Sequence, residues 1–153
     1  MDIQNIFDDI DPESNYNFLI QSNSMDCSYH PMEQYIGFTS NQYFSVINYN
    51  LRSFNRNFES FFGYFKNQIL PSVLTFSETR FTEVSKTEII NYEGYHTVRC
   101  RDTPSGGISI YVKKDITSRK VDNLSYSNVT IEICTVEISI DNHIFVLLGI
   151  YRA

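Results

Sequence analysis

The chain has 153 residues, of which 42% are hydrophobic and 20% charged, a composition typical of one globular domain with a modest core. Its formal net charge of −6 is unevenly distributed, because residues 1–43 contain seven of the 18 acidic residues and none of the 12 Lys and Arg residues. No apolar run approaches about 18 residues, and the acidic start lacks the basic and apolar regions of a signal peptide. The sequence therefore predicts neither a membrane-spanning helix nor a secreted protein.

Residues 1–43 form an acidic leader without sustained hydrophobic periodicity. The segment is rich in Asn, Ser, Asp and Tyr, and its isolated apolar groups, such as Phe18-Leu19-Ile20, have little to pack on. This composition predicts a mostly irregular segment, and the alternative is a docking peptide that folds on a partner.

Residues 44–78 have the pattern of a strand, a helix and a second strand. The strands are predicted at 44–49 and 72–77, and Pro71 ends the helix between them. The helix has an aromatic stripe along one face, formed by Phe54, Phe58, Phe61, Phe62, Phe65 and Ile69. Such a unit makes its two strands parallel through a right-handed crossover. Asn50 and Glu78, which follow the two strands, are therefore predicted to lie at the same edge of the sheet, where ligand sites of layered α/β proteins form.

The remainder of the chain has an all-β pattern after a polar connection. Asp141-Asn142 is predicted to be a tight hairpin turn, and 101–107 another turn. The strands are predicted at 94–100, 108–113, 117–121, 130–140 and 143–151. The last strand is an apolar run that we expect to be buried on both faces. These strands after the β–α–β start predict an α+β domain with a mixed sheet and a covering helix.

Only Arg152 and Ala153 follow this most apolar strand. We therefore expect residues 44–153 to be the N-terminal portion of a domain that is truncated at its C-terminus. A sheet face left uncovered in this way would promote self-association.

Cysteine and histidine residues are too scattered to indicate a disulfide framework or a zinc site. No two cysteines form a C-x-x-C pair, and no histidines have the short spacing of zinc ligands. The six residues are Cys27, Cys100, Cys134, His30, His96 and His143. We expect three reduced thiols in an intracellular protein.

Six short motifs occur in a fixed order from residue 50 to residue 152. They are Asn50-Leu-Arg-Ser-Phe54, Thr75-Phe-Ser-Glu78-Thr79, Tyr92-Glu-Gly-Tyr95, Arg99, Gly106-Gly-Ile-Ser-Ile-Tyr111-Val112 and Gly149-Ile-Tyr-Arg152. Together they resemble the first half of the endonuclease domain of LINE-type (non-LTR) retrotransposon proteins, which belongs to the endonuclease/exonuclease/phosphatase family. The resemblance covers residues 44–153, and the ordered set is more specific than any single motif.

The resemblance implies a four-layer α/β sandwich, in which this chain supplies most of the first sheet and its covering helix. It implies that Glu78 is the ligand for a divalent cation, usually Mg²⁺. Asn50 would orient the scissile phosphate and a metal-bound water at the same site. Tyr151 matches a family tyrosine near the phosphate, and Arg99 is a candidate phosphate contact. Carboxylate oxygens suit Mg²⁺, which often takes only one or two protein carboxylates and completes its shell with water and phosphate.

The same resemblance implies partners and a location. The substrate would be DNA, a reverse transcriptase domain would follow in the same polyprotein, and the protein would act in the nucleus without a membrane role. The family's general-base histidine and catalytic aspartates lie in the second half of the domain and have no counterpart here, because His96 and His143 fall in other segments. The chain is therefore expected to be a segment of a Mg²⁺-dependent endonuclease that is inactive alone. The alternatives are a non-catalytic remnant or incomplete gene model of such an element, or another phosphoesterase of the same superfamily.

Overall fold

A computed structural model of the chain describes residues 44–63, 65, 70–81, 87–98 and 105–152. The predicted leader, Arg99 and the start of the predicted turn at 101–107 lie outside these residues. The elements in chain order are β1 (Val46–Asn50), α1 (Phe54–Gly63), β2 (Val73–Ser77), β3 (Tyr92–Thr97), β4 (Ile108–Lys113), β5 (Thr117–Lys120), a 3₁₀ turn (Asp122–Leu124), β6 (Tyr126–Ser127), β7 (Ile131–Ile140) and β8 (His143–Arg152). No helix in the described part of the chain has the length and apolar character needed to cross a bilayer.

The first sheet is mixed and has the strand order β1-β2-β4-β3. β1 and β2 are parallel, with Asn50 opposite Ser77, which confirms the arrangement predicted from the strand–helix–strand pattern. β4 is antiparallel to both β2 and β3. β2 lies in the interior of the sheet and is buried from Val73 to Phe76. Its sequence therefore lacks the apolar–polar alternation of a half-exposed strand.

The helix α1 covers one face of the first sheet with its aromatic stripe. Phe54 and Phe61 are buried, and their rings contact the ring of Phe76 in β2 at centroid distances of 6.2 and 5.0 Å. Burying one such ring contributes about 2 kcal/mol. The helix ends at Gly63, before the predicted Ile69; Phe65 still packs in the same cluster, and residues 66–69 lie outside the described part.

The second sheet is organised around β7. β5 and β6 pair with β7 on one side and β8 pairs with it on the other, all antiparallel. Asp141 and Asn142 join β7 to β8 with φ angles of 48° and 64°. Two left-handed residues are what a tight type I′ hairpin requires, so the predicted turn is confirmed.

The two sheets pack face to face. Alternate residues of β7 point inward onto the face of the first sheet that α1 does not cover, where Ile108, Ile110 and Val112 of β4 lie. The shared core consists of Val73, Ile108, Ile110, Val112, Cys134, Val136 and Ile138. The described residues thus form helix, sheet and sheet, and the α+β class with a mixed sheet and a covering helix is confirmed.

The prediction that β8 is buried on both faces is wrong. β8 pairs only with β7 among the described strands, and its even-numbered residues face away from the first sheet. Ile144 is 60% exposed and Ile150 is 58% exposed. An apolar run identifies a strand but does not distinguish an edge strand from a central one, which explains the error. The chain also forms a second sheet of its own, in addition to the first sheet that the resemblance assigned to it.

Candidate functional site at the end of the parallel strand pair

Asn50 and Glu78 lie together at the carboxyl edge of β1 and β2. Asn50 is the last residue of β1 and lies opposite Ser77 of β2 in the parallel pair. Glu78 directly follows Ser77. The Asn50 Nδ2 group donates a hydrogen bond to Glu78 Oε1 at 2.7 Å. The predicted meeting of these two residues at one edge is therefore confirmed.

The side-chain amide of Asn50 is held in one orientation by two contacts. Its Oδ1 accepts a hydrogen bond from the backbone N–H of Arg52 at 3.1 Å, while its Nδ2 donates to the carboxylate of Glu78. The first contact requires an acceptor oxygen and the second a donor nitrogen, so both support the same assignment of Oδ1 and Nδ2. Among the residues that the structure describes, the second N–H of Nδ2 has no acceptor.

Glu78 presents a partly exposed carboxylate at this edge, and the side chain of Arg80 lies beside it. Arg80 Nη2 lies 3.6 Å from Glu78 Oε2, and the Glu78 side chain is 22% exposed. An ion pair with this much solvent contact typically contributes no more than about 1 kcal/mol. A cation bound at Glu78 Oε2 would therefore compete only with a weak ion pair to Arg80.

The backbone around both residues is in the left-handed region. Arg52, Glu78 and Arg80 have φ angles of 52°, 53° and 53°, and Ser53 has a φ of 130°. None of these residue types favours that region, which costs roughly 1–2 kcal/mol per residue. Such conformations persist where neighbouring contacts impose them, and they concentrate at functional sites.

A pair of glycines supports the strained segment that follows β2. Gly106 and Gly107 lie just before β4, with φ angles of 71° and 89°. The carbonyl of Gly106 accepts the N–H of Arg80 at 2.8 Å, and the carbonyl of Gly107 accepts the N–H of Thr79 at 3.2 Å. The segment that bears Glu78 is thereby tied to the start of the neighbouring strand.

Tyr151 lies in the second sheet, at the same end of the sandwich. It is close to the end of β8, and its partner across the β7–β8 ladder is Glu132. Glu132 Oε2 accepts a hydrogen bond from the N–H of Gly107 at 2.6 Å, which joins this end of the second sheet to the Glu78 segment. Arg99, the remaining predicted phosphate contact, is outside the described residues.

The two described histidines do not stand beside Glu78. His96 lies in β3, on the α1 side of the first sheet, and its Nδ1 is 3.0 Å from Ser109 Oγ. Burial, with a smaller contribution from the charge of Lys120, lowers the pKa of His96 to about 4. His143 begins β8, at the opposite end from Tyr151.

The fit to a divalent cation rests on one carboxylate. Within the described ranges, no three His, Cys, Asp or Glu side chains form a group that could hold a metal ion. Glu78 offers a partly exposed carboxylate oxygen with the Asn50 amide beside it. This donor set suits Mg²⁺, which commonly binds one or two carboxylates and fills its remaining positions with water and phosphate oxygens.

Two features were not foreseen. A hollow of about 480 Å³ lies beside the start of β3, lined in part by Glu88, Glu93 and Tyr111, at the end of the first sheet away from Asn50 and Glu78. Glu132 was not singled out as a site residue. The sequence signal for Glu132 is its position in β7. Alternate residues of a strand share one face, so this carboxylate lies on the same face as Cys134 and Val136.

Comparison with known proteins adds no assignment. The sequence matches no protein-family model, and no curated protein matches it.

Proposed function

We propose that this chain carries the phosphate- and cation-binding part of a Mg²⁺-dependent DNA endonuclease site of the LINE type. The observation that carries the proposal is the 2.7 Å hydrogen bond between Asn50 and Glu78 at the carboxyl edge of a parallel strand pair. The residues are those that the motif resemblance assigns to the site, and their types suit phosphodiester chemistry.

Each residue has a distinct part in this proposal. Glu78 presents a carboxylate oxygen to the cation, and Asn50 holds that carboxylate through one N–H while its other N–H is directed at a phosphate oxygen. When bound, Mg²⁺ stabilises charge that develops on the phosphoryl and leaving oxygens. Tyr151 and Arg99 are assigned to the phosphate by the resemblance alone.

A non-catalytic remnant of such an element is the second candidate, and one observation favours it. His96 lies in the strand two positions from β2 with its Nδ1 at Ser109 Oγ, and His143 begins β8 at the opposite end. A general base typically accelerates such reactions by about 10²–10⁴-fold. We therefore expect the 153-residue chain to bind a divalent cation and not to nick DNA.

The test is cation binding to the full chain, followed by NMR. Mn²⁺, a paramagnetic substitute for Mg²⁺, should broaden the signals of the Asn50 side-chain amide and of the Arg80 N–H. Glu78→Gln should weaken this binding at least about tenfold, since it removes the cation's charged ligand. Glu137→Gln is a matched control, because Glu137 also pairs with an arginine and its side chain is likewise 22% exposed.

Two results would contradict the proposal. One is a Glu137→Gln effect as large as that of Glu78→Gln, which would indicate non-specific attraction of Mn²⁺ to carboxylates. The other is the absence of broadening at Asn50 in the unmodified chain. Mg²⁺-dependent nicking of supercoiled plasmid by the chain, lost on Glu78→Gln, would instead show that it holds a complete active site.

A further inference from the structure

Glu132 is a carboxylate buried between the two sheets. Its exposed fraction is 0%, and in β7 it occupies the inward face that it shares with Cys134, Val136 and Ile138. Placing a carboxylate on such a face is unfavourable unless the group makes strong hydrogen bonds. Its Oε2 accepts the N–H of Gly107 at a short 2.6 Å.

The contact with Gly107 is possible only because the approaching backbone has no side chains. A Cβ placed on Gly106 would lie 2.5 Å from Glu132 Oε1, and a Cβ on Gly107 would lie 2.4 Å from Thr79 Oγ1. Both distances are well below any van der Waals contact. The two glycines thus fit between Glu132 on one side and the segment after β2 on the other.

The two glycines connect Glu132 to the segment that follows Glu78 through backbone hydrogen bonds. While Gly107 donates its N–H to Glu132, its carbonyl accepts the N–H of Thr79, and the carbonyl of Gly106 accepts the N–H of Arg80. Thr79 and Arg80 directly follow Glu78, whose φ of 53° must be imposed by its surroundings. Hydrogen bonds therefore lead from the second sheet to the two residues that directly follow the candidate cation ligand.

We propose that Glu132 is a positioning residue of the Asn50–Glu78 site, acting through Gly106 and Gly107 to hold Glu78 in its left-handed conformation. The proposal rests on the proposed function for the role of Glu78. The hydrogen-bonded arrangement itself does not depend on it. A residue that orients a metal ligand indirectly typically changes metal affinity by about 10–100-fold when removed.

Two substitutions of Glu132 separate hydrogen bonding from packing. Glu132→Gln keeps an oxygen acceptor for Gly107 and should hold Mn²⁺ affinity within about threefold of the unmodified chain. Glu132→Met keeps similar volume without the acceptor and should lower the affinity at least about tenfold. Thr135→Val is the control, because Thr135 is equally buried in the same strand but donates to Leu124, away from the site.

A second readout does not require the cation. Hydrogen exchange of the Thr79, Arg80 and Gly107 N–H groups should be slow in the unmodified chain, and NMR should show the Asn50 side-chain amide in one environment. Glu132→Met should accelerate the three exchange rates at least about tenfold beyond any change at Leu74 in β2. Thr135→Val should change the exchange rates of the Thr79, Arg80 and Gly107 N–H groups by the same factor as that of the Leu74 N–H.

The outcomes are distinguishable. Fast exchange of Thr79 and Arg80 in the unmodified chain would overturn the proposal even if Glu132→Met does not fold. Equal Mn²⁺ affinity in Glu132→Met and Glu132→Gln would also overturn it. Slow exchange that depends on Glu132, in a chain that binds no Mn²⁺, would retain the positioning role and refute the proposed function alone.

Discussion

Both ends of the sandwich contain residues with left-handed φ angles, but the residue types differ between the two ends. At the hairpin end, where β7 turns into β8, the left-handed residues are Asp141 and Asn142, which tolerate this region and form the turn by themselves. At the site end, where β1, β2 and β8 finish, the left-handed residues include Glu78 and two arginines. The hairpin end is thus determined locally, whereas the site end is held by contacts from distant strands.

The histidines at the two ends show the same contrast. His143 starts β8 beside the turn and is exposed. His96 is one residue from the site-end terminus of β3, where it packs between the rings of Phe81 and Tyr111 at centroid distances of 5.1 and 5.3 Å. Burial around His96 resists protonation and lowers its pKa to about 4.

The largest expected effect is that of Gly107→Ala, at the site end. The added Cβ would lie 2.4 Å from Thr79 Oγ1 in a backbone with a φ of 89°. Strain and overpacking each typically cost 1–3 kcal/mol, so we expect the free energy of unfolding to fall by roughly 3 kcal/mol. The measurement is urea denaturation. Gly63→Ala is the control; apart from its chain neighbours and the backbone of α1, no atom of the described residues lies within 4 Å of its new Cβ, and a small gain in stability is expected at the end of α1.

His96 should make stability depend on pH in a specific range. Its pKa is about 4 in the folded state and 6.5 in the unfolded state, so above pH 6.5 both states are neutral. As the pH falls from 6.5 to 4, the unfolded state binds a proton that the folded state does not bind, and stability falls by about 3 kcal/mol. Below pH 4 this contribution stops changing.

One variant isolates this contribution. The difference in unfolding free energy between pH 6.5 and pH 4 should shrink by about that amount in His96→Gln. An unchanged difference in His96→Gln would show that folding does not lower the pKa of His96, and would remove this feature of the site end.

The smallest effect compares a left-handed residue from each end. Arg80→Gly should raise stability by roughly 0.5–1 kcal/mol, because glycine relieves a strained φ of 53° and the ion pair that is lost is exposed. Asn142→Gly should change stability by less than about 0.5 kcal/mol, because asparagine already tolerates its φ of 64°. Thermal unfolding of both variants measures the difference. A larger gain at Asn142 would mean that the hairpin end is the more strained one.

The part of the site that could be predicted from the sequence is the part encoded by local pattern. The apolar stripe of α1 and the strands on either side of it require a right-handed parallel unit, and this unit alone brings Asn50 and Glu78 together. The hairpin is equally local, since Asp141 and Asn142 carry the turn in their own conformational preferences.

The remaining features depend on which strands lie next to each other. Nothing near Glu78 in the sequence shows that its φ is positive. The constraint comes from Gly106 and Gly107, which directly precede β4 and are distant in sequence. Glu132 alternates with apolar residues in β7, yet only the packing of the two sheets shows that it contacts Gly107. The exposure of Ile144 and Ile150 likewise follows from the position of β8 beside a single strand.

The separation in sequence between the partners at the site end has a consequence for the order of folding. The β7–β8 hairpin closes over two residues, and isolated hairpins form in about 1–10 μs. The Asn50–Glu78 hydrogen bond spans 28 residues and the Gly107–Glu132 bond spans 25, and such non-local contacts form slowly because loop closure must come first. We therefore expect a partly folded molecule to contain the complete hairpin while Asn50 and Glu78 are still apart.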